Sequence, residues 1–310
     1  MYEDVRAKDV AAILGIAESQ VGEYIDVQTL EELRYRPLSG NERDEAFLKA
    51  FQRLESDGLR VSGENDSTPW EQGWSEVLER VKVKGVSKEA LAPQYFQYST
   101  MRFGGNYVEV SDPRFEYRLY NILKELIFRR YLSDVDKIVE LGCGTGSNLY
   151  MLGQIFPDKE LIGSDWARAS QQLLEVIANE SGLNLRGEWF NMLNGEGQEN
   201  LTLGSKSACL TMHSMEQLGD SWQSVLDFIV KGNPDVCIHI EPIDAFYDPN
   251  ALFDHVALQY HRKRNYLNGF HGGLKELEKA GEIEVLEERR LGFGSHFHEA
   301  YGLVVWRNRS

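Results

Sequence analysis

The chain has 310 residues, of which 42% are apolar, and a mean hydropathy of -0.41; this suits a globular core, and no stretch approaches the roughly 20 apolar residues of a membrane helix. Lys plus Arg total 33 and Asp plus Glu 49, a net charge of -16, so nucleic acid and anionic membrane surfaces meet repulsion and are not expected as partners. The start, Met1-Tyr2-Glu3-Asp4-Val5, lacks a basic-then-apolar leader, and three cysteines (Cys143, Cys209, Cys237) make no disulfide framework, so a reducing, cytoplasmic setting is expected.

Residues 1–92 are expected to form a helical accessory region. Phe47, Phe51 and Leu54 recur at i, i+4, i+7 and predict one apolar helix stripe. Gly63 to Pro69 is rich in turn formers and predicts a loop; helix resumes near Trp70 with Trp74, Val77 and Leu78 on one side. Nothing in this region resembles a catalytic cluster. Residues 93–130 form an aromatic-rich segment and connecting helix. Between 95 and 120 stand Tyr95, Phe96, Tyr98, Phe103, Tyr107, Phe115, Tyr117 and Tyr120, with Arg102, Arg114 and Arg118 interleaved and Gly104-Gly105 as a flexible pair.

From 131 to 310 the rhythm changes. Short apolar runs at 138–141, 161–165, 208–212 and 236–240 alternate with helix-length segments such as 166–180 and 221–231. Strands alternating with helices predict an α/β fold with a doubly wound, parallel sheet. Two adjacent extended segments, about 282–290 and 299–306, predict an antiparallel pair at the sheet edge.

The strongest motif is Val139-Glu140-Leu141-Gly142-Cys143-Gly144-Thr145-Gly146, a strand running into a glycine loop and then a helix. Glycines let backbone approach a ligand, and the helix start offers free N–H groups. Ser147 stands where a dinucleotide fingerprint wants Gly or Ala, which disfavours a nicotinamide oxidoreductase. Asp165 follows the next strand and either accepts the hydroxyls of a ribose or caps the following helix. Trp166 offers a face for adenine.

In this order, these residues resemble a class I S-adenosylmethionine-dependent methyltransferase of small-molecule type. The resemblance covers about 120–310. It implies a Rossmann-like seven-stranded sheet with an antiparallel last strand, S-adenosylmethionine as cofactor, and 131–310 as the catalytic domain. It further implies that Glu140 places the methionine end, that the loop Gly142, Cys143, Gly144 and Gly146 lies against the cofactor, that Asp165 binds the ribose, and that Phe190-Asn191-Met192 touch adenine. Asn191 departs from the family's frequent Asp. By the same resemblance, 93–130 becomes a lid over the site, and the acceptor is a small molecule, natural-product-like or sugar-like, methylated on O or N.

Methyl transfer to an alcohol, phenol or charged amine calls for a base. Candidates sit past the strand ends: His213, also placed against the cofactor, Glu241, and the more distant His271, which faces the pocket or caps a helix. His213 acts as base or orders its loop; Glu241 binds the acceptor or is a polar strand end; His239, inside a strand, is a core histidine. His296 and His298 alternate as metal ligands on one strand face do, but no third ligand is evident and no metal is expected. Tyr107, Arg114 and Tyr117 from the lid, with Arg264 and Tyr266, are the expected acceptor contacts; packing onto the sheet is the alternative for most of these aromatics. Rival functions are a protein methyltransferase and a non-catalytic cofactor-binding regulatory subunit. The N-terminal region is a candidate homodimer interface.

Overall fold

A computed structural model describes residues 1–93 and 97–309; Gln94, Tyr95 and Phe96 of the aromatic run lie outside the described residues. The first part contains β1 (Glu3–Asp4), α1 (Ala7–Leu14), α2 (Glu18–Tyr24), α3 (Val27–Glu31), β2 (Arg34–Pro37), α4 (Asn41–Glu55), α5 (Thr68–Lys84), α6 (Lys88–Leu91), β3 (Thr100–Phe103), β4 (Asn106–Val110) and α7 (Phe115–Tyr131). The second contains β5 (Lys137–Leu141), α8 (Ser147–Ile155), β6 (Glu160–Asp165), α9 (Arg168–Ser181), β7 (Leu185–Trp189), β8 (Ser207–Met212), α10 (Gln223–Gly232), β9 (Val236–Glu241), α11 (Leu252–Arg264), α12 (Phe270–Ala280), β10 (Ile283–Arg290), β11 (Phe293–Gly294) and β12 (Gly302–Asn308).

The main sheet has seven strands in the order β10-β12-β9-β8-β5-β6-β7. β5, β6, β7, β8 and β9 run parallel, and β12 is antiparallel to both of its neighbours. The α/β reading and the antiparallel last strand are borne out. The C-terminal pair does form the edge, with β12 on the inside: Gly302–Trp306 is wholly buried, whereas β10 carries Glu284, Glu287, Glu288 and two arginines. Charges of that density belong on a rim. β8 and β9 are buried residue by residue, as strands covered on both faces are. Chain order reverses beside β5, which has β6 on one side and β8 on the other, so a crevice opens past the C-terminal ends of β5 and β8.

The first part departs from the all-helical expectation. β1, β2, β4, β3 and β11 make a second, antiparallel sheet of five strands. Strand β2 is Arg34-Tyr35-Arg36-Pro37, too short and polar for an alternating pattern to announce it. Gly104 and Gly105, with φ of +58° and +80°, close the β3–β4 hairpin as a turn that needs positive φ at both centres. The fifth strand is contributed from beyond β10: Phe293 pairs with Phe103. On α4 the buried face is Ala46, Phe47 and Ala50, while Phe51 is 37% exposed, so the predicted stripe is rotated. α5 buries Val77, Leu78 and Val81 and packs against α9.

Candidate active site

β5 delivers Glu140 into the interior and then breaks into the glycine loop. Gly142 has φ +72°, and a Cβ there would fall 2.3 Å from Ser214 Cβ, so only glycine lets the loop lie against the turn after β8. The Gly142 and Cys143 N–H groups donate to Ser164 O at 2.7 and 2.9 Å, which pins the loop to β6. Gly146 has a different role from the one the resemblance implied. It caps α8, and a Cβ would fall 2.5 Å from Leu174 Cδ2; its small size serves helix packing, and it lines neither cavity. Cys143 does face the cavity, but burial pushes its thiol well above the ordinary range, which makes it a packing group.

Asp165 unites the two roles weighed for it. Its Oδ1 accepts the Ala167 N–H at the start of α9, and its Oδ2 accepts the Gly144 N–H, both at 2.9 Å. A carboxylate has about four acceptor positions, so capacity is left for a ligand. Burial raises this carboxyl to about 6. Around it a narrow cleft of about 80 Å³ is lined by Trp166, Asn191, Met192, Trp70 and Trp74. Asn191 is held by the Asn65 side chain, to whose Oδ1 it donates at 2.9 Å.

Glu140 is fully buried. Its Oε1 accepts from Asn148 Nδ2 at 2.6 Å, and Asn148 Oδ1 accepts from Lys124 Nζ at 2.6 Å. The other oxygen, Oε2, has no partner. Burial raises Glu140 to about 7 and lowers Lys124 to about 7.

Beyond the loop the cleft continues into a cavity of about 460 Å³. His213 lines both spaces. It has φ +57°, a strained value for a residue with a side chain. Its Nδ1 lies 3.6 Å from Glu216 Oε2, its ring meets Tyr301 edge-on at 4.7 Å, and its Nε2 is buried with no partner. Glu116 stands nearby at the start of α7: Oε1 accepts from Tyr301 OH at 2.9 Å, Oε2 has no partner, and burial raises the carboxyl to about 7. Tyr117, Arg264 and Tyr266 line this cavity, as expected of acceptor contacts.

Other candidates are elsewhere. Glu241 lines neither space; its two oxygens accept the N–H groups of Ser214, Met215 and Glu216, all at 3.1 Å, so it shapes the turn that carries His213. His271 lies on α12 and pairs with Glu288 of the edge strand at 2.9 Å, remote from the crevice. Tyr107 is core, edge-on to Phe47 and Phe253 and stacked on His296. Arg114 is exposed at the N-terminus of α7, beside Asp112, and faces a different surface hollow. His239 is the core histidine expected: Trp306 Nε1 donates to its Nε2, so Nδ1 carries the proton to Thr211 Oγ1, and burial lowers it to about 3. His296 turns to the Ala46 carbonyl while His298 bonds His261, so the two do not share a site. Among the described residues no three His, Cys, Asp or Glu side chains come together as metal ligands.

Several side chains in or beside these spaces escaped the sequence. Trp70 and Trp74 stack at 5.9 Å on α5, and Trp74 lies 3.1 Å from where a Gly144 Cβ would stand. Glu71, between them, accepts the Arg168 and Ala169 N–H groups at 2.6 and 3.1 Å and so closes α5 onto the N-terminus of α9. The Trp-x-x-x-Trp spacing placed two large rings on one helix face and was the available signal. Glu116, Lys124 and Arg53 carried none.

No family model and no curated protein sequence matches the chain. Solved structures do. The [4+2]-cyclase SpnF aligns over 81% of this chain and 98% of its own, at 14% identity and a TM-score of 0.48. A geranyl diphosphate methyltransferase in complex with GPP and sinefungin aligns over 78% and 100%, at 15% and 0.45. The 16S rRNA methylase ArmA aligns over 76% and 98%, at 14% and 0.45. Such likenesses concern the fold alone. By its own strand order, its glycine loop after β5 and its acid at the end of β6, the chain has the class I S-adenosylmethionine-dependent methyltransferase fold.

Proposed function

We propose that this protein binds S-adenosylmethionine and transfers its methyl group to a hydroxyl oxygen of a small molecule. The cofactor reading is supported by three fits. The unpartnered Glu140 Oε2 suits an ammonium, Asp165 has acceptor positions left for a ribose, and the space between Trp166 and Met192 suits a flat base. When bound, the cofactor supplies a methyl group on a sulfonium sulfur; transfer to oxygen leaves a neutral thioether and releases one proton.

The observation that carries the transfer reading is His213 Nε2. It is buried, unpartnered, and lies where the cleft meets the larger cavity. A neutral imidazole there takes the hydroxyl proton, and Glu216 beside Nδ1 steadies the imidazolium. Glu116, tied to Tyr301, is a second acceptor for a hydroxyl hydrogen bond. Tyr117, Arg264 and Tyr266 contact the acceptor.

The cavity of about 460 Å³, walled by α5, α7 and α11, is of a size that suits a small acceptor. In this reading 131–310 is the catalytic domain, 1–92 the accessory region and 93–130 the lid, in a cytoplasmic enzyme. Calorimetric titration with S-adenosylhomocysteine tests the cofactor: micromolar binding is expected for wild type, a range common for enzyme ligands, and its loss in Asp165→Ala. Binding of NAD instead would overturn it.

A further inference from the structure

We infer that the acceptor is a hydroxylated aromatic carboxylic acid whose carboxylate is received by Arg264. This rests on the reading of the larger cavity as the acceptor site.

Acids outnumber bases by 49 to 33 in this chain, so arginines readily find carboxylates. Arg36 touches Glu42 and Glu109, Arg118 touches Glu32 and Asp112, and Arg290 touches Asp254 and Glu299. Arg264 is half-buried and lines the cavity, yet no carboxylate lies within 4 Å of it among the described residues. Its Nε is buried with no partner, and Nη1 makes one long hydrogen bond, 3.3 Å, to Tyr260 OH. Glu216, the nearest acid, is engaged by His213 and by the Gln217 side chain, which donates to its Oε1 at 2.9 Å.

Arg264 is also held in place. Its guanidinium carbon lies 4.8 Å from the Tyr266 ring centre and 5.9 Å from that of Tyr260. Tyr260 stacks on Phe297 at 5.3 Å. Leu54 and Leu59 pack against the same tyrosines, which brings Arg53 of α4, likewise without a carboxylate, to the cavity wall. A rigid guanidinium with a dry, unused N–H among aromatic faces is the donor half of an arginine–carboxylate pair. Tyrosine and phenylalanine faces around it suit a ring. His213 Nε2, on the cleft side of the same cavity, suits the ring hydroxyl.

The test titrates matched pairs into protein saturated with S-adenosylhomocysteine: hydroxybenzoates against hydroxybenzamides, and hydroxyphenylacetates and hydroxycinnamates against their amides. At least one acid is expected to bind about tenfold or more tightly than its amide, and Arg264→Met to erase the difference while Arg264→Lys retains part of it. If no acid outbinds its amide, or if nothing binds, the inference fails while the cofactor reading stands. If S-adenosylhomocysteine itself does not bind, the cofactor reading is what fails. The wild-type comparison decides the matter even where Arg264→Met does not fold.

Discussion

The two halves of the proposed site, one for the cofactor and one for the acceptor, are built differently. The cofactor half comes from 27 consecutive positions, Glu140 to Trp166, plus the turn at Asn191 and Met192, and backbone does much of its holding: Gly142, Cys143, Gly144 and Ala167 all spend N–H groups there. The acceptor half draws side chains from α4, α5, α7, the turn after β8, α11 and the loop after β11. A half made of local backbone needs glycines and strand ends in fixed order. A half made of distant side chains needs only that each element arrive.

The sharpest way to break this contrast is at Gly142. Gly142→Val puts branched carbons into Ser214 at a positive φ and is expected to abolish S-adenosylhomocysteine binding and destabilise the fold by about 3 kcal/mol; calorimetry and thermal melting check both. His213→Ala is expected to slow transfer by roughly 10² to 10³-fold and leave the cofactor Kd within about threefold. A Kd that moves with the rate would place the histidine in the cofactor half.

Cofactor binding is expected to depend on pH. Glu140 has its carboxyl raised to about 7, so below pH 7 it is largely protonated, and an ammonium ligand must first displace that proton. Lys124, lowered to about 7, loses its charge over the same range as pH rises. Both changes favour a cation, so cofactor affinity is expected to rise between pH 6 and 8, by up to about tenfold per unit. Titrations in buffers of different ionisation enthalpy read the released proton, and Glu140→Gln is expected to flatten the profile. The smallest effects belong to residues outside both halves: His271→Ala and Arg114→Ala are expected to leave turnover unchanged and stability within about 0.5 kcal/mol.

The same contrast explains what the sequence disclosed. The cofactor half was legible because its residues are neighbours with a fixed grammar: strand, alternating glycines, strand, acid. Even there, Gly146 was assigned to the ligand although it makes room for Leu174, since spacing does not tell which side a glycine faces. The acceptor half was legible only in part. Arg264, at the end of α11, and Tyr266, just past it, were named from the sequence and line the cavity. Glu116 sits in an ordinary helical sequence, and only the approach of Tyr301 from 185 positions away reveals it. Glu241 misled for a related reason: a strand-end acid in the right crevice reads alike whether it meets a ligand or three backbone N–H groups.

The pairing of Phe293 and Gly294 with β3 has a consequence for synthesis. All of the cofactor half has been synthesised once residue 192 is added, and β5, β6 and β7 become available to fold as later residues push them out of the exit tunnel. The small sheet lacks its last strand until residue 294 emerges. Tyr301, which orients Glu116 and packs on His213, comes later still. In the proposed reading the acceptor side is therefore completed last, after the cofactor cleft, whose wall from His213 to Leu218 is made well before residue 294.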